Sequence, residues 1–357
     1  MLILLILLIL SALSLFLALL NFFTIRTVKN KPTSVSQKIS ILIPMRNEVA
    51  NAKECINSIL AQRGLSNFEV IVLDDASTDG TSEVLKSTTG IKCLTGKALP
   101  QGWLGKVWAC HQLSEVATGE VLVFMDADVR LSENAIASSI TALGDWDFIS
   151  PYPKQLSSGF IESIFQPFLH WSWFASVPLI IAQKFRIKSM VVANGQLLIV
   201  KKSAYQSSGG HEKIKSQVLD DLELARGLIS SGFEGGVAQG AQISSCLMYE
   251  SAPEMFAGYR KSLWRAFGGF IGSIFAAALL FSTGVLTLVF AIAGSKIAAL
   301  SFGFILITRL LSSIKAKESL FTLIWHPVAV LIFVGILTYS WVGKLTGKLV
   351  WRDRVIS

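Results

Sequence analysis

The stretch VLVFMDAD, residues 121–128, is the most informative part of this sequence. Five apolar residues run without interruption into the pair Asp126 and Asp128. The stretch VIVLDDASTDGT, residues 70–81, has the same form, because an acidic pair follows directly after apolar residues. Short unbroken apolar runs are typical of strands buried on both faces of a parallel sheet. Ligands bind beyond the carboxyl ends of such strands, so both acidic pairs fall where a ligand is expected.

Outward from these two stretches, apolar runs alternate with helical patterns. The runs predicted as strands are Ile39–Ile43, Phe68–Leu73, Ile91–Leu94, Val121–Met125 and Phe148–Ser150. After the first run, Cys55 and Ile59 fall on one helical face, and Ser77 or Thr78 is expected to cap the helix after the second. Strands that alternate with helices predict an α/β domain with a parallel sheet covered by helices on both faces.

The acidic pairs suggest chemistry on their own. Mg²⁺ and Mn²⁺ bind carboxylate and phosphate oxygens together, so Asp126 and Asp128 suit a metal that bridges the diphosphate of a nucleotide sugar. One carboxylate of the pair Asp74 and Asp75 suits a hydrogen bond to a base or ribose. One carboxylate of the pair Asp220 and Asp221 suits a general base that deprotonates an acceptor hydroxyl. Ordinary turn and helix-capping roles explain each pair equally well when it is taken alone.

Composition and the first residues indicate a membrane protein. The 357 residues are 52% hydrophobic and 16% charged, against about 25% charged in soluble domains. Leu2–Phe23 contains no charged residue and is followed by Arg26, Lys29 and Lys31. These basic residues follow the apolar run, which favours an uncleaved span over a signal peptide and places the following chain in the cytoplasm.

A second apolar region lies toward the C-terminus. Gly268–Gly294 and Leu320–Val342 are long enough to span a bilayer, whereas Ile297–Ile307 is short and suits either a tight span or a re-entrant arm. Two or three C-terminal spans therefore both stay open, and the basic tail, residues 344–357, mildly favours two. The aromatic stretch at 160–185 is expected to lie at the membrane interface.

Several other classes are disfavoured. The net charge of +8 comes from scattered basic residues, so no nucleic-acid surface is indicated. The four cysteines have neither disulfide-framework nor zinc-site spacing. Gly105-Lys106 lacks the flanking residues of a phosphate-binding P-loop, and no dinucleotide-binding glycine motif follows the first strand. A role for His211 in positioning the acceptor and a functional role for His326 are alternatives, but both residues are more simply explained as structural histidines.

Four motifs together resemble glycosyltransferase family 2. They are ILIPMRNE at 41–48, VIVLDDASTDGT at 70–81, FMDADV at 124–129 and LDDLELAR at 219–226. The resemblance implies a GT-A fold, a Rossmann-like mixed sheet domain. Further motifs are similar to a membrane-bound branch that includes carotenoid (diaponeurosporenoate-type) and hopanoid-associated glycosyltransferases: LPQGWLGKVWA at 99–109, ANGQ at 193–196, GGH at 209–211 and WRDR at 351–354.

The resemblance also implies roles for single residues. Those expected to hold the nucleoside are Pro44, Arg46, Glu48 and Asp75. Asp126 and Asp128 would hold ribose, a divalent metal (Mg²⁺ or Mn²⁺) and the diphosphate of a UDP- or GDP-sugar, and Asp221 would be the base of an inverting displacement. Lys106 and Arg265 are further candidates for the diphosphate. A solvated helix-start lysine and an interfacial anchor are their respective alternatives.

The expected organisation follows from these readings. It comprises a transmembrane anchor at 1–25, a GT-A catalytic domain at 36–255, a membrane region at 266–343 and a basic tail at 344–357. The implied protein is a multi-pass glycosyltransferase of the cell (inner) membrane with a cytoplasmic catalytic domain and a lipid-like acceptor. KSLWR at 261–265 departs from the Q-x-x-R-W motif of processive synthases, which argues against processive synthesis. A polyprenyl-phosphate glycosyl synthase and a non-catalytic nucleotide-sugar-binding scaffold are the alternatives.

Overall fold

The computed structural model describes residues 1–351 and 354–355 and divides into two compact units. The sheet unit comprises Ile25–Lys154 and Leu179–Cys246. The helical unit comprises Met1–Thr24, Gln155–Pro178 and Leu247–Ser357. The three acidic pairs all belong to the sheet unit: Asp74 with Asp75, Asp126 with Asp128, and Asp220 with Asp221.

Seven strands form the main sheet of the sheet unit. They are β1 (Ile39–Met45), β2 (Phe68–Asp74), β3 (Lys92–Thr95), β4 (Val121–Met125), β5 (Phe148–Tyr152), β6 (Leu197–Lys201) and β7 (Gly235–Gln239). The spatial order is β3-β2-β1-β4-β6-β5-β7. The five predicted strands are confirmed, with each end within about two residues of its expected position. All five residues of β4 are buried, as the unbroken apolar run predicted.

The sheet is mixed, so the parallel sheet predicted from the alternation of elements was wrong in one place. Strands β1 to β4 pair in parallel, and β5 pairs in parallel with β7. Strand β6 lies between β4 and β5 and is antiparallel to both. The mixed sheet that the family resemblance implied is therefore confirmed. It leaves the carboxyl ends of β1, β2 and β4 together at one edge.

Helices and short elements complete the sheet unit. The helices are Val49–Leu60, Thr81–Ser87, Gly105–Val116, Ala135–Leu143, Leu179–Lys184, Lys202–Ser207, Gly210–Lys213 and Asp220–Ser230. A 3₁₀ turn covers Lys188–Met190, and Val129–Leu131 pairs antiparallel with Ser244–Cys246. A two-residue strand, Lys154–Gln155, follows β5 where the chain passes from the sheet unit into the helical unit.

The predicted cap of the helix Thr81–Ser87 was wrong. The N-cap position is Gly80, whose φ of 97° suits glycine. Thr78 lies before the helix, where its backbone N–H donates to Asn47 Oδ1 at 2.9 Å. Asp79 joins the helix start to the chain after β1, because its carboxylate accepts the N–H groups of Val49 and Thr81, each at 3.0 Å.

The helical unit contains four segments that are long and apolar enough to cross a membrane. They are Leu2–Thr24, Phe270–Ile292, Lys296–Ala316 and Leu320–Leu345. The sequence predicts only a short apolar run at Ile297–Ile307 within the third segment. The helix instead extends through Arg309 to Ala316. Three C-terminal segments are therefore of sufficient length.

These segments contain irregular turns. Phe270–Ile292 consists of helices Phe270–Phe281 and Thr287–Ile292 around a π-turn at Ser282–Leu286, and Leu320–Leu345 begins with a 3₁₀ turn, Leu320–Trp325, that passes into the helix His326–Leu345. The remaining helices of the unit are Phe160–Phe174, Ala252–Arg260 and Leu263–Ala266. Val350–Trp351 pairs with Arg354–Val355. The rest of the predicted tail, at 352–353 and 356–357, lies outside the described residues.

The aromatic stretch at 160–185 divides between the two units. Its first part forms the helix Phe160–Phe174, which buries Phe165, Phe168 and Trp171 within the helical unit. The end of this helix is joined to the first segment by Asn21, whose side-chain amide donates to the carbonyl of Phe174 at 2.8 Å. These contacts explain the aromatic composition by packing between helices. An interfacial position for the stretch stays a prediction.

Candidate active site

The ends of β1 and β2 form the first part of the site. Arg46 follows β1, and its Nη1 donates to the backbone carbonyl of Asp75 at 2.7 Å. The N–H of Glu48 donates to Thr81 Oγ1 at 2.9 Å. Pro44, the predicted partner at the end of β1, lines a small cavity together with Met125 and Asp126 at the end of β4. The predicted nucleoside residues therefore do lie together at one edge of the sheet.

Asp74 and Asp75 have different roles in the structure. Asp74 is buried and committed to the loop, because its Oδ1 accepts the N–H of Ser77 at 3.0 Å and its Oδ2 accepts the hydroxyl of Ser82. Asp75 follows β2 and is also largely buried, with its N–H donating to the carbonyl of Met45 at 2.8 Å. The ligand-binding role of Asp75 stays a prediction.

Lys106 and Asp126 form an ion pair at the end of β4. Lys106 lies in the first turn of the helix Gly105–Val116, and its Nζ is 2.7 Å and 2.8 Å from the two oxygens of Asp126. A second carboxylate, Asp220, lies 3.8 Å from the same ammonium. Desolvation opposes the charge of Lys106, but Asp126 and Asp220 outweigh it and hold its pKa well above the ordinary value. Lys106 is therefore a permanent cation among these acids.

Asp128 has the environment expected of a cation ligand. Its Oδ1 is shielded from solvent and has no hydrogen-bond partner among the described residues. Burial, and then the nearby charge of Asp126, raises the pKa of Asp128 to about 7. A divalent cation would supply the missing partner for Oδ1 and offset the repulsion between the two carboxylates. The residues present thus fit a metal ion.

The protein would provide only part of the coordination of such a metal. Within the described part of the chain, no cluster of three or more His, Cys, Asp or Glu side chains is arranged to hold a metal ion. Mg²⁺ is commonly held by one or two carboxylates together with substrate phosphates and water. Asp126 and Asp128 match that mode of binding, in which the donor completes the site.

Asp221 is held by two backbone groups at the start of the helix Asp220–Ser230. Its Oδ2 accepts the N–H of Gly195 at 2.8 Å, and its Oδ1 accepts the N–H of Leu222 at 2.7 Å. Burial, and then the charge of Asp220, raises the pKa of Asp221 to about 6. A fixed carboxylate with this pKa is ionised at neutral pH and still basic enough to accept a proton.

Gly195, just before β6, was not selected from the sequence. A Cβ at this position would lie 3.1 Å from the Cβ of Asp221 and 3.5 Å from Lys106 Nζ. The small residue therefore lets the backbone approach the proposed base closely. The signal was present in the motif ANGQ, but only the contact with Asp221 gives that motif a role.

His211 also belongs to this part of the molecule. It lines a cavity of about 20 Å³, room for about one water molecule, together with eleven other residues. They are Pro44, Lys106, Cys110, Phe124, Met125, Asp126, Gly195, Leu198, Asp220, Asp221 and Leu224. The simpler structural reading of His211 is therefore incomplete, because its side chain lies beside the proposed base and ion pair.

The hydrogen bonds around His211 assign its tautomer. Ser114 donates to the carbonyl of His111 at 2.7 Å, so its hydroxyl oxygen accepts from Tyr205 at 3.1 Å. The single Tyr205 proton is then used, and the contact of 2.8 Å between Tyr205 and His211 requires Nδ1–H to donate. Burial lowers the pKa of His211 to about 4. His211 is thus neutral, with its lone pair on Nε2.

Arg265 lies in the helical unit, unlike the other predicted site residues. It belongs to the short helix Leu263–Ala266, and its guanidinium carbon is 5.6 Å from the ring of Trp264. This contact is compatible with the alternative of an interfacial anchor. A contact between Arg265 and the donor diphosphate stays a prediction.

The acidic motifs at the strand ends resemble glycosyltransferase family 2, and a comparison with the model of that family supports the resemblance. Residues 40–172 match the model of glycosyl transferase family 2. The chain carries a family 2 glycosyltransferase domain. The matched region contains β1 to β5 and most of the residues just described, including Lys106, Asp126 and Asp128. This glycosyltransferase also extends beyond the match at both ends.

Two relatives of this glycosyltransferase are named 4,4'-diaponeurosporenoate glycosyltransferase. It is 26% identical over 248 residues to the 4,4'-diaponeurosporenoate glycosyltransferase of Staphylococcus haemolyticus, an alignment that covers 66% of this chain and 63% of the relative. It is 25% identical over 348 residues to the enzyme of the same name from Staphylococcus aureus (strain bovine RF122 / ET3-1), covering 92% of this chain and 91% of the relative.

A solved structure confirms the fold. A mannosyltransferase of Pyrobaculum calidifontis, in complex with GDP-Man and Mn²⁺, superposes with a TM-score of 0.55 at 17% identity. The match covers 94% of this chain and 99% of that one. The predicted GT-A fold of this glycosyltransferase is therefore confirmed.

Proposed function

We propose that this glycosyltransferase moves a sugar, with inversion, from a nucleotide-diphosphate donor to a lipid or other membrane-associated acceptor. The observation that carries the proposal is the pairing of Asp126 and Asp128 at the end of β4 with the fixed carboxylate of Asp221 in the same unit. Relatives named for a carotenoid acid and a structural neighbour bound to GDP-Man and Mn²⁺ support it. A UDP- or GDP-sugar is the donor class.

The donor side is formed by residues at the ends of β1, β2 and β4. Pro44, Arg46, Glu48 and Asp75 are proposed to hold the nucleoside. Asp126 and Asp128 would hold Mg²⁺ or Mn²⁺, which supplies positive charge to the departing nucleotide diphosphate when bound. Lys106 is a second source of positive charge, since its ammonium already lies against Asp126.

The acceptor side depends on Asp221. Its carboxylate removes the proton from an acceptor hydroxyl as the oxygen attacks the anomeric carbon of the sugar. The bond from that carbon to the nucleotide diphosphate breaks on the opposite face, and the proton remains on Asp221. A single displacement of this kind inverts the configuration of the sugar. Gly195 and Leu222 keep the base in place through their N–H groups.

A transfer assay tests the proposed reaction. The purified protein would be incubated with a radiolabelled UDP- or GDP-sugar and a lipid extract from the source membrane, and the lipid product would be analysed by NMR. An organic-soluble product with the anomeric configuration opposite to that of the donor supports the proposal. A water-soluble product, or a lipid product of retained configuration, contradicts it.

The pH dependence of the reaction follows from Asp221. A general base acts in its ionised form, so kcat/KM is expected to fall about tenfold per pH unit below the pKa of the base, which is about 6. Above that pKa the acidic limb reaches a plateau. A pH–rate profile measured at saturating metal checks this. A profile that stays flat a full unit below the pKa would assign the proton transfer to another group.

The membrane arrangement we infer is a multi-pass protein of the cell membrane with a cytoplasmic catalytic domain. Within the helical unit, the end of the helix His326–Leu345 lies beside the start of Phe270–Ile292. Near the end of the helix His326–Leu345, Ser340 Oγ accepts the N–H of Trp264 at 2.9 Å. At the start of that helix, His326 lies against Gly284, which is midway along Phe270–Ile292.

We propose from this packing that the last apolar segment is re-entrant. A helix that begins at mid-depth and ends beside residues 260–264 returns the chain to the side from which it entered. Lys344 and Lys348 are then on the same side as Trp264, as basic residues favour.

Cysteine labelling tests this arrangement. In a Cys93→Ser background, where the remaining native cysteines are buried, Lys348→Cys and Ser262→Cys are expected to react with an impermeant maleimide from the same side of sealed vesicles. Gly294→Cys, in the turn between two segments, should react from the other side. Labelling of Lys348→Cys and Gly294→Cys from one side would mean that the last segment crosses the membrane.

A further inference from the structure

A group of buried polar side chains lies among the apolar helices of the helical unit. Arg309 sits within Lys296–Ala316, a segment long and apolar enough to cross a membrane, and is fully buried. All three of its guanidinium nitrogens, Nε, Nη1 and Nη2, have no hydrogen-bond acceptor among the described residues. Ionisable side chains at such positions are rare and usually mark a substrate or ion site.

Aromatic and polar side chains surround the guanidinium. The ring of Trp171 lies 6.0 Å from the guanidinium carbon of Arg309, and its Nε1 donates to Thr308 at 2.7 Å. His326 is fully buried, its ring is 4.6 Å from that of Trp171, and neither of its nitrogens has a partner among the described residues. His170 shares a hydrogen bond of 2.7 Å with Ser312, one turn beyond Thr308.

Glu318 is an acidic neighbour of this group among the described residues. Glu318, just beyond the end of Lys296–Ala316, is the carboxylate whose charge is felt by Arg309. The nitrogens of Arg309 nevertheless lack an acceptor, so Glu318 does not complete the hydrogen bonding of the guanidinium. The charge of Arg309 is offset at a distance, while its five N–H donors stay available.

Two irregular turns of backbone meet at the same place. His326 lies where the 3₁₀ turn Leu320–Trp325 passes into an α-helix, and Gly284 lies in the π-turn Ser282–Leu286. A Cβ on Gly284 would be 2.9 Å from His326 Nε2. Short 3₁₀ and π-turns within helices are frequent at functional sites, and interrupted membrane helices line binding sites in other membrane proteins.

A buried charge without hydrogen-bond partners is costly, and a guanidinium matches the planar oxygen pairs of carboxylates and phosphates. We propose that Arg309, with His326 and Trp171, forms a binding site for the anionic group, a phosphate or carboxylate, of a membrane-embedded amphiphile. The surrounding apolar helices suit its hydrocarbon part, which distinguishes it from a free ion. This proposal does not depend on the proposed transfer chemistry.

Lipid retention tests the proposal directly. The full-length protein in neutral detergent would be equilibrated in turn with phosphatidylglycerol, oleate and phosphatidylcholine, and retained lipid would be measured by native mass spectrometry. Retention of phosphatidylglycerol or oleate over phosphatidylcholine, unaffected by millimolar inorganic phosphate, is the expected result. Equal retention of all three lipids overturns the proposal. Displacement by inorganic phosphate would show a site for free anions instead.

Variants locate the site. Arg309→Met replaces the guanidinium with an unbranched apolar side chain and is expected to weaken retention of the anionic lipid about tenfold, the value of one charged hydrogen bond. Lys296→Gln, at the exposed start of the same helix, is the matched control and should retain lipid as the native protein does. Equal loss in both variants, or none in Arg309→Met, contradicts the assignment. Lipid selectivity of the native protein gives an answer even if Arg309→Met fails to fold.

Discussion

Asp221→Asn is expected to lower kcat by about 10²–10⁴-fold, the range of general base catalysis. The amide keeps the size of the side chain and can still accept the N–H of Gly195 or Leu222, so the site should keep its shape. What it loses is the ability to take a proton from the acceptor. Donor affinity, measured by calorimetry with metal present, should therefore change little.

An exposed aspartate provides the control for this variant. Asp145→Asn removes one carboxylate from the surface of the same unit and should retain native activity. If Asp221→Asn also retained activity, the acceptor would not need deprotonation. A phosphate acceptor, as in a polyprenyl-phosphate glycosyl synthase, would then be the better assignment.

Asp128→Asn is expected to lower kcat/KM by about 10³-fold, because a metal contributes several kcal/mol of charge stabilisation in the transition state. Metal-dependent donor binding should be lost as well. The variant retains the volume of the side chain, so general disruption of the strand end is not expected. Activity within tenfold of native would show that Asp128 is not a metal ligand.

The same variant has a predicted effect on stability. The pKa of Asp128 is raised to about 7 in the folded protein, above the ordinary value of about 3.9 in an unfolded chain. Ionisation therefore destabilises the folded state as pH rises between these two values. Measured with chelator above neutral pH, Asp128→Asn should have a higher Tm than the native protein. A lower Tm would indicate a structural role for the carboxylate.

Much of the sheet unit could be predicted because its signals are local. The apolar run of β4 and the acidic pair after it are contiguous in the sequence, and the burial of all five β4 residues explains the run. The direction of β6 was not predictable in the same way. The residues LLIVK at 197–201 suit a buried strand of either direction, and only pairing with β4 and β5 makes it antiparallel.

Contacts between distant residues explain most of what was missed. Lys106 lies twenty residues before Asp126 in the chain, and only the packing of its helix against the sheet brings the two together. Asp221 and Gly195 are likewise separated until β6 is in place. The apolar run at 297–307 left a tight span and a re-entrant arm both open, because Thr308 and Arg309 follow it. The structure instead buries Arg309 within the helix.

The most direct test of the proposed function is donor binding by the native protein in detergent. UDP- and GDP-sugars would be compared by calorimetry with Mn²⁺, with Mg²⁺ and with EDTA. Selective binding of one nucleotide sugar that requires the metal and is lost in Asp128→Asn is the predicted result. Absent binding, or binding that is the same for every donor with and without metal, would contradict a metal-dependent transferase and favour a non-catalytic role.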